Sequence, residues 1–114
     1  GDDSEGSFRF GALPAISDCP DDFRSFVASG EQLACTCSEA ASQRGSVIGM
    51  DVYAAASSIC RAALHAGVIG KAGGSVTVLP EAGRKSYAGL TRHGVTSYNG
   101  DGSEGSFRFA AAPR

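Results

Sequence analysis

Tryptophan is absent from this 114-residue chain and methionine occurs once. With 16 glycines and abundant alanine, the core must use few large anchors and close backbone approach. No apolar run reaches the ~18 residues of a membrane-spanning helix. No charged segment followed by an apolar one marks a secretory leader, so the chain reads as a mature protein or a fragment. Ten basic residues stand against 12 acidic ones, a net charge of −2, and the lysines and arginines are scattered. Nucleic-acid binding therefore lacks its basic face. The single asparagine, Asn99, is followed by Gly-Asp, so the chain offers no N-glycosylation acceptor.

What the chain does have is a repeat. Gly1–Phe10 reads GDDSEGSFRF and Gly100–Phe109 reads GDGSEGSFRF. The identity continues at Ala12/Ala111 and Pro14/Pro113, so eleven of fourteen positions match at an offset of 99. Ser7, Phe8, Arg9, Phe10 and Ser106, Phe107, Arg108, Phe109 alternate polar and aromatic, the period of a half-buried strand. Two identical strands cannot fill one slot of one domain. The chain reads as one period plus an overlap. Residues 1–15 are a duplicated strand and linker, 16–109 a single domain, and 110–114 the start of the next linker. A domain of this size buries roughly two thirds of its unfolded surface.

Four cysteines, Cys19, Cys35, Cys37 and Cys60, favour disulfides and an oxidising compartment. Zinc is the rival. Only Thr36 separates Cys35 from Cys37, where zinc ligands usually stand about two to four residues apart, and no histidine pair completes the set. No metal or cofactor is expected. A Cys35–Cys37 bridge would strain a tight loop, which leaves two of the three pairings open. One of them is Cys19–Cys35 with Cys37–Cys60. Each bridge would then close a loop of about 15–25 residues, worth roughly 3 kcal/mol of chain entropy.

Residues 11–18 read as a linker broken at Pro14. Phe23, Phe26 and Val27 give an apolar face to a short irregular helix or a strand. Residues 38–46 read as an exposed loop, and Val47, Ile48, Met50, Val52 and Tyr53 as an extended strand interrupted by Gly49. The clearest helix is Ser57–Ala66, with Ser57 as N-cap and Gly67 just past the end. Ile59, Ala62, Ala63 and Ala66 follow helical spacing, and Cys60 and Leu64 widen the apolar face. Ser58, Arg61 and His65 remain as a narrow polar stripe. Short strands are expected at Val68–Ile69, Ser75–Leu79, Tyr87–Leu90, Val95–Tyr98 and Ser106–Phe109. Turns are expected at Gly73–Gly74 and Pro80–Arg84, with a hairpin signal at Asn99-Gly100. The reading is α+β: one central helix among five or six short strands.

The run VYAAASSICRAALHAGVI (Val52–Ile69) resembles an LCCL domain. The resemblance continues through Gly73–Gly74, Gly83–Arg84 with Tyr87, Gly94–Val95 and Ser106–Phe107, and covers about Cys19 to Phe109. It implies a secreted domain in which two β-sheets wrap a central helix over about residues 57–66. It also implies the pairing Cys19–Cys35 and Cys37–Cys60. The single residue between the second and third cysteines departs from animal members, which carry a slightly longer insert. The family is a module of larger extracellular proteins, with lipopolysaccharide, lipid or glycan binding suggested and no general activity established.

Each candidate site has a plainer rival. His65 reads as a ligand-binding or acid–base histidine, or as one hydrogen-bonded to a neighbouring strand. His93 lies in a loop that nothing marks. Ser57 or Ser58 on one short helix with His65 makes a poor nucleophile pair, so no enzyme is expected. Arg61, Arg84 and Lys85 suit anionic groups, or surface ion pairs with Asp51 or Glu81. Phe107 and Phe109 face a core, whereas Phe8 and Phe10 on a second strand would need a partner to cover them. Asp2, Asp3, Glu5, Asp101 and Glu104 lie in Gly/Ser loops, where turn chemistry competes with calcium binding.

The expected function is an extracellular or cell-surface, non-catalytic structural or adhesive module. It is one unit of a tandem or head-to-tail array or filament, and its partners are neighbouring copies joined by strand addition. The alternative is a lipid-, lipopolysaccharide- or glycan-binding module using the Ser58/Arg61/His65 stripe. No nucleic-acid partner and no transmembrane segment are expected.

Overall fold

The computed structural model describes residues 18–102 and 105–110. The first copy of the repeat, with Asp2, Asp3, Glu5 and Ser7–Phe10, lies outside the described residues, as does Glu104.

Five antiparallel strands form the main sheet, in the order β1 (Leu33–Ser38), β4 (Gly73–Ala82), β9 (Gly105–Phe109), β3 (Val52–Ala54), β2 (Gly49–Met50). Period-two alternation sets its inner face. Cys35, Cys37, Val76, Val78, Phe107 and Phe109 are buried, while Ala34 and Arg108 are exposed. Register stacks these residues across the sheet: Cys35 faces Val76, Leu33 faces Val78, Val78 faces Phe109, and Tyr53 faces Phe107. The Phe107 ring lies 5.6 Å from Tyr53, 5.7 Å from Phe23 and 5.6 Å from Phe109. In a chain without tryptophan this aromatic cluster supplies the large apolar anchors.

Strand β4 is longer than its sequence suggests and continues through Pro80, where a turn is expected. Strand β1 ends opposite Val78, so from Leu79 onward β4 has a neighbour only on its β9 side. Proline is tolerated in such an edge segment. Gly73 and Gly74 likewise open this strand instead of forming a turn; Gly73 packs so tightly on the Cys37 carbonyl that a side chain there would collide.

The helix is α2, Ile59–Ala66, and its N-cap is Ser58, one residue later than expected. Ser58 Oγ accepts from the Arg61 N–H, and Gly67 closes the other end in the left-handed region at φ 82°. Ala62 and Ala63 are fully buried, and their small side chains bring the helix close to the sheet. Residues 39–42, expected in a loop, form a helical turn α1 (Glu39–Ser42) capped by Ser38 Oγ. Val27 opens a 3-10 turn, Val27–Ser29, with Phe26 at its N-cap, and the turn leads into β1.

Two small ladders complete the fold: β5 (Ser86–Tyr87) with β8 (Gly100–Asp101), and β6 (Thr91–Arg92) with β7 (Val95–Thr96). The α+β class stands, but two wrapping sheets become one principal sheet with two two-stranded ladders. The Asn99-Gly100 hairpin is corrected too. Strand β7 turns back on β6 through His93 and Gly94, at φ 51° and 78°. Positive φ at both central residues is the geometry of the two-residue hairpin that matches strand twist. Asn99 instead accepts the Gly89 N–H on its side-chain oxygen.

The disulfides join Cys19 to Cys35 and Cys37 to Cys60. Both use the inner face of β1, which is an edge strand. One ties the segment entering at Asp18 to it, and the other ties helix α2 to it.

Candidate functional site

His65 is fully buried between helix and sheet. Its Nε2 lies 2.9 Å from the Leu90 carbonyl, which can only accept, so the proton sits on Nε2. Nδ1 is then an acceptor, and the Tyr53 hydroxyl donates to it at 2.9 Å. The Tyr53 ring meets the imidazole edge-on at 5.6 Å. Burial pushes the Tyr53 phenol from its ordinary value of 10 up to about 12, opposed first by a hydrogen bond with the Asp51 backbone and then by the Arg92 charge. The backbone carbonyl of His65 in turn accepts from His93 Nδ1 at 2.8 Å. His65 therefore connects helix α2, strand β3 and the segment before β6. Both ring nitrogens are committed, and the ring faces no solvent.

This placement dissolves the expected polar stripe. His65 is inside, Ser58 caps the helix and also donates to the Arg44 carbonyl, and Arg61 donates to the Ser42 carbonyl on α1 at 3.1 Å. Ser57 is buried, with its hydroxyl bonded to both the N–H and the carbonyl of Ile48. No serine–histidine bond occurs among the described residues. Arg84 and Lys85 lie exposed in the turn between β4 and β5 and do not join Arg61. Ion pairs form elsewhere: Arg92 with Asp51, Arg108 with Glu81, Arg24 with Asp22. Asp101 is an exposed residue of β8.

Two further features escaped the sequence. The first is a cleft of about 310 Å³ beside the helix N-terminus, whose polar lining includes Asp21, Asp22, Arg44, Ser46 and Ser58. Its walls come from segments far apart in sequence, so no local motif announces it. The second is the proximity of the two bridges. The sulfurs of Cys19, Cys37 and Cys60 lie within 4.8 Å of one another. Bridged sulfur is not a thiolate, so in the disulfide form these sulfurs offer no metal ligand.

The second copy of the repeat forms the interior strand β9, paired with β4 on one side and β3 on the other. Each residue there has a defined task. At Gly105, an added Cβ would lie 2.7 Å from Val27 Cγ1. Ser106 is buried with its hydroxyl on the Tyr87 hydroxyl, Phe107 and Phe109 enter the aromatic cluster, and Arg108 meets Glu81 across the outer face. Among the described residues, the repeated sequence takes its place in the fold in this slot and, through Gly100–Asp101, in the short β8 pairing with β5.

The LCCL domain family matches residues 16–107. Human "Cysteine-rich secretory protein LCCL domain-containing 2" is 45% identical over 62 residues, covering 54% of this chain and 12% of that protein. Bovine cochlin is 48% identical over 52 residues, 46% of this chain and 10% of that protein. Bovine vitrin is 47% identical over 51 residues, 45% of this chain and 8% of that protein. The chain thus spans about a tenth of the length of these curated relatives. With the matched region running from the linker before Cys19 into β9, the chain belongs to the LCCL domain family.

Proposed function

We propose that this chain is a non-catalytic structural or adhesive module of a secreted or cell-surface protein, repeated as one unit of a covalent tandem array. The observation that carries this reading is the return of the β9 sequence at an offset of 99 residues. Each period supplies one such strand and one slot for it. An interior strand also bears on the manner of joining. Edge addition to the main sheet would have to use β1 or β2, whereas the repeated sequence is fitted residue by residue to an interior position. A covalent array needs no such edge. Two disulfides suit an oxidising exterior, and one similar protein carries "secretory" in its name. A non-catalytic role is supported by His65, whose ring nitrogens serve backbone and tyrosine instead of a nucleophile.

The test is a fusion of two periods, residues 1–113 followed directly by 15–114, so that both domains carry the Gly102 form of the strand. A tandem unit gives two equivalent domains, with one melting transition at the single-period temperature and about twice the enthalpy. Aggregation, or a second domain that fails to fold, would sink the reading.

A second reading rests on the cleft at Asp21, Arg44 and Ser58, whose volume is at the small end for ligand sites. Its mixed donors and acceptors favour a glycan over a lipid tail. Calorimetric titration with an oligosaccharide panel tests it: binding abolished by Arg44→Ala supports the reading, and silence across the panel removes it.

A further inference from the structure

We propose that the single β9 slot has two alternative occupants within one chain, Gly105–Phe109 and its copy Gly6–Phe10, so that the domain can fold in either of two frames. This goes beyond the array reading and does not require it.

All five positions of β9 are reproduced in the first copy: Gly6, Ser7, Phe8, Arg9 and Phe10 stand for Gly105, Ser106, Phe107, Arg108 and Phe109. The slot makes a separate demand at each position. It needs a residue without Cβ beside Val27, a hydroxyl for Tyr87, a ring among Phe23 and Tyr53, a guanidinium for Glu81, and a second ring on Tyr53. The match continues upstream. Gly100, packed on Ile48 with no room for a side chain, is reproduced as Gly1, and Asp101 as Asp2. Downstream, Ala110 contributes an N–H to the Thr77 carbonyl, which Gly11 can also supply.

The connection is long enough. Asp18 bridges Thr36 on the outer side of β1, while Phe109 lies two strands inward at the level of Leu33. Three strand spacings across and three residues along give a separation of about 18 Å. Seven residues separate Phe10 from Asp18. Extended, they reach about 28 Å. Strand β9 runs parallel to β1, so a chain leaving the slot already heads toward the level of Thr36.

The two frames are not equal. Asp3 stands where the second copy has Gly102, and a Cβ there would lie 2.8 Å from the Arg84 carbonyl and 3.2 Å from that of Lys85. A carboxylate against two carbonyls also has no attraction to offer. The C-terminal frame is therefore preferred and the N-terminal frame is held in reserve. Exchange between chains gains nothing, because every chain brings one slot and fills it once; the occupant is the chain's own segment.

The test uses the full chain in three variants, Phe107→Ala/Phe109→Ala, Phe8→Ala/Phe10→Ala, and all four substitutions together. Melting is followed by circular dichroism and mass by sedimentation. The expected result is that the Phe8/Phe10 variant melts like the parent and the Phe107/Phe109 variant melts slightly lower as a folded monomer. The four-site variant should melt more than about 15 °C lower or not fold at all. A Phe107/Phe109 variant as damaged as the four-site variant overturns the proposal. So does one that folds only as a dimer or larger species, which would make the occupant a second copy.

Discussion

Tyr53 sits fully buried at 0% exposure with its hydroxyl on His65 Nδ1. Tyr53→Phe keeps the ring and removes the donor, leaving a buried acceptor without it. The expected loss is about 1–3 kcal/mol, read as a lower urea midpoint at an unchanged slope. The same phenol makes the domain sensitive to alkali. Folded, it keeps its proton to about pH 12; unfolded, it loses it near its ordinary value of 10. Between those values the unfolded state sheds a proton that the folded state retains. This contribution is therefore intact below the unfolded value and lost as pH rises toward the folded one. Melting temperature across that window should fall more steeply for the parent than for Tyr53→Phe, and equal slopes would assign the alkaline loss to other groups. Gly73 makes a steric prediction. At φ 94° and against the Cys37 carbonyl, Gly73→Ala should cost more than about 1 kcal/mol in a thermal or urea melt.

At the scale of elements, α2 depends on two ends and one staple. Ser58→Ala removes the oxygen that accepts from the Arg61 N–H and should cost about 1 kcal/mol by urea denaturation. Cys37→Ser with Cys60→Ser frees the helix from the edge strand and should cost about 2–5 kcal/mol, with limited proteolysis appearing near Ser38–Gly45. The helix was legible because alanine spacing, a serine cap and a terminal glycine all point the same way. Its start was misplaced by one residue because two serines adjoin, and only tertiary contact gives Ser57 to Ile48 and Ser58 to the cap. The β6–β7 hairpin was hidden because its first central residue is histidine, not the asparagine or glycine usual there. His93 is held in place by a hydrogen bond to a carbonyl 28 residues away in sequence. Pro80 read as a turn because a strand proline is acceptable only beside a missing neighbour, and where β1 stops is not written near Pro80. The cleft was invisible for the same reason: Asp21, Arg44 and Ser58 converge only after folding.

At the scale of the molecule, the repeat was legible from identity alone, and its strand character from alternation. What identity could not give was the position of the strand in the sheet. An edge position would have made the duplicated sequence a natural donor to a neighbour. An interior position between β3 and β4 makes it a component that each domain needs once. That count supports both proposals, a covalent array and a chain with two frames, and neither requires separate chains to associate. The most direct measurement is sedimentation equilibrium of the full chain from low micromolar to near-millimolar concentration. The account predicts one species at the monomer mass throughout, unchanged by Phe8→Ser/Phe10→Ser. A mass that climbs with concentration and returns to monomer in that variant would contradict it, and would make strand exchange between chains the basis of assembly.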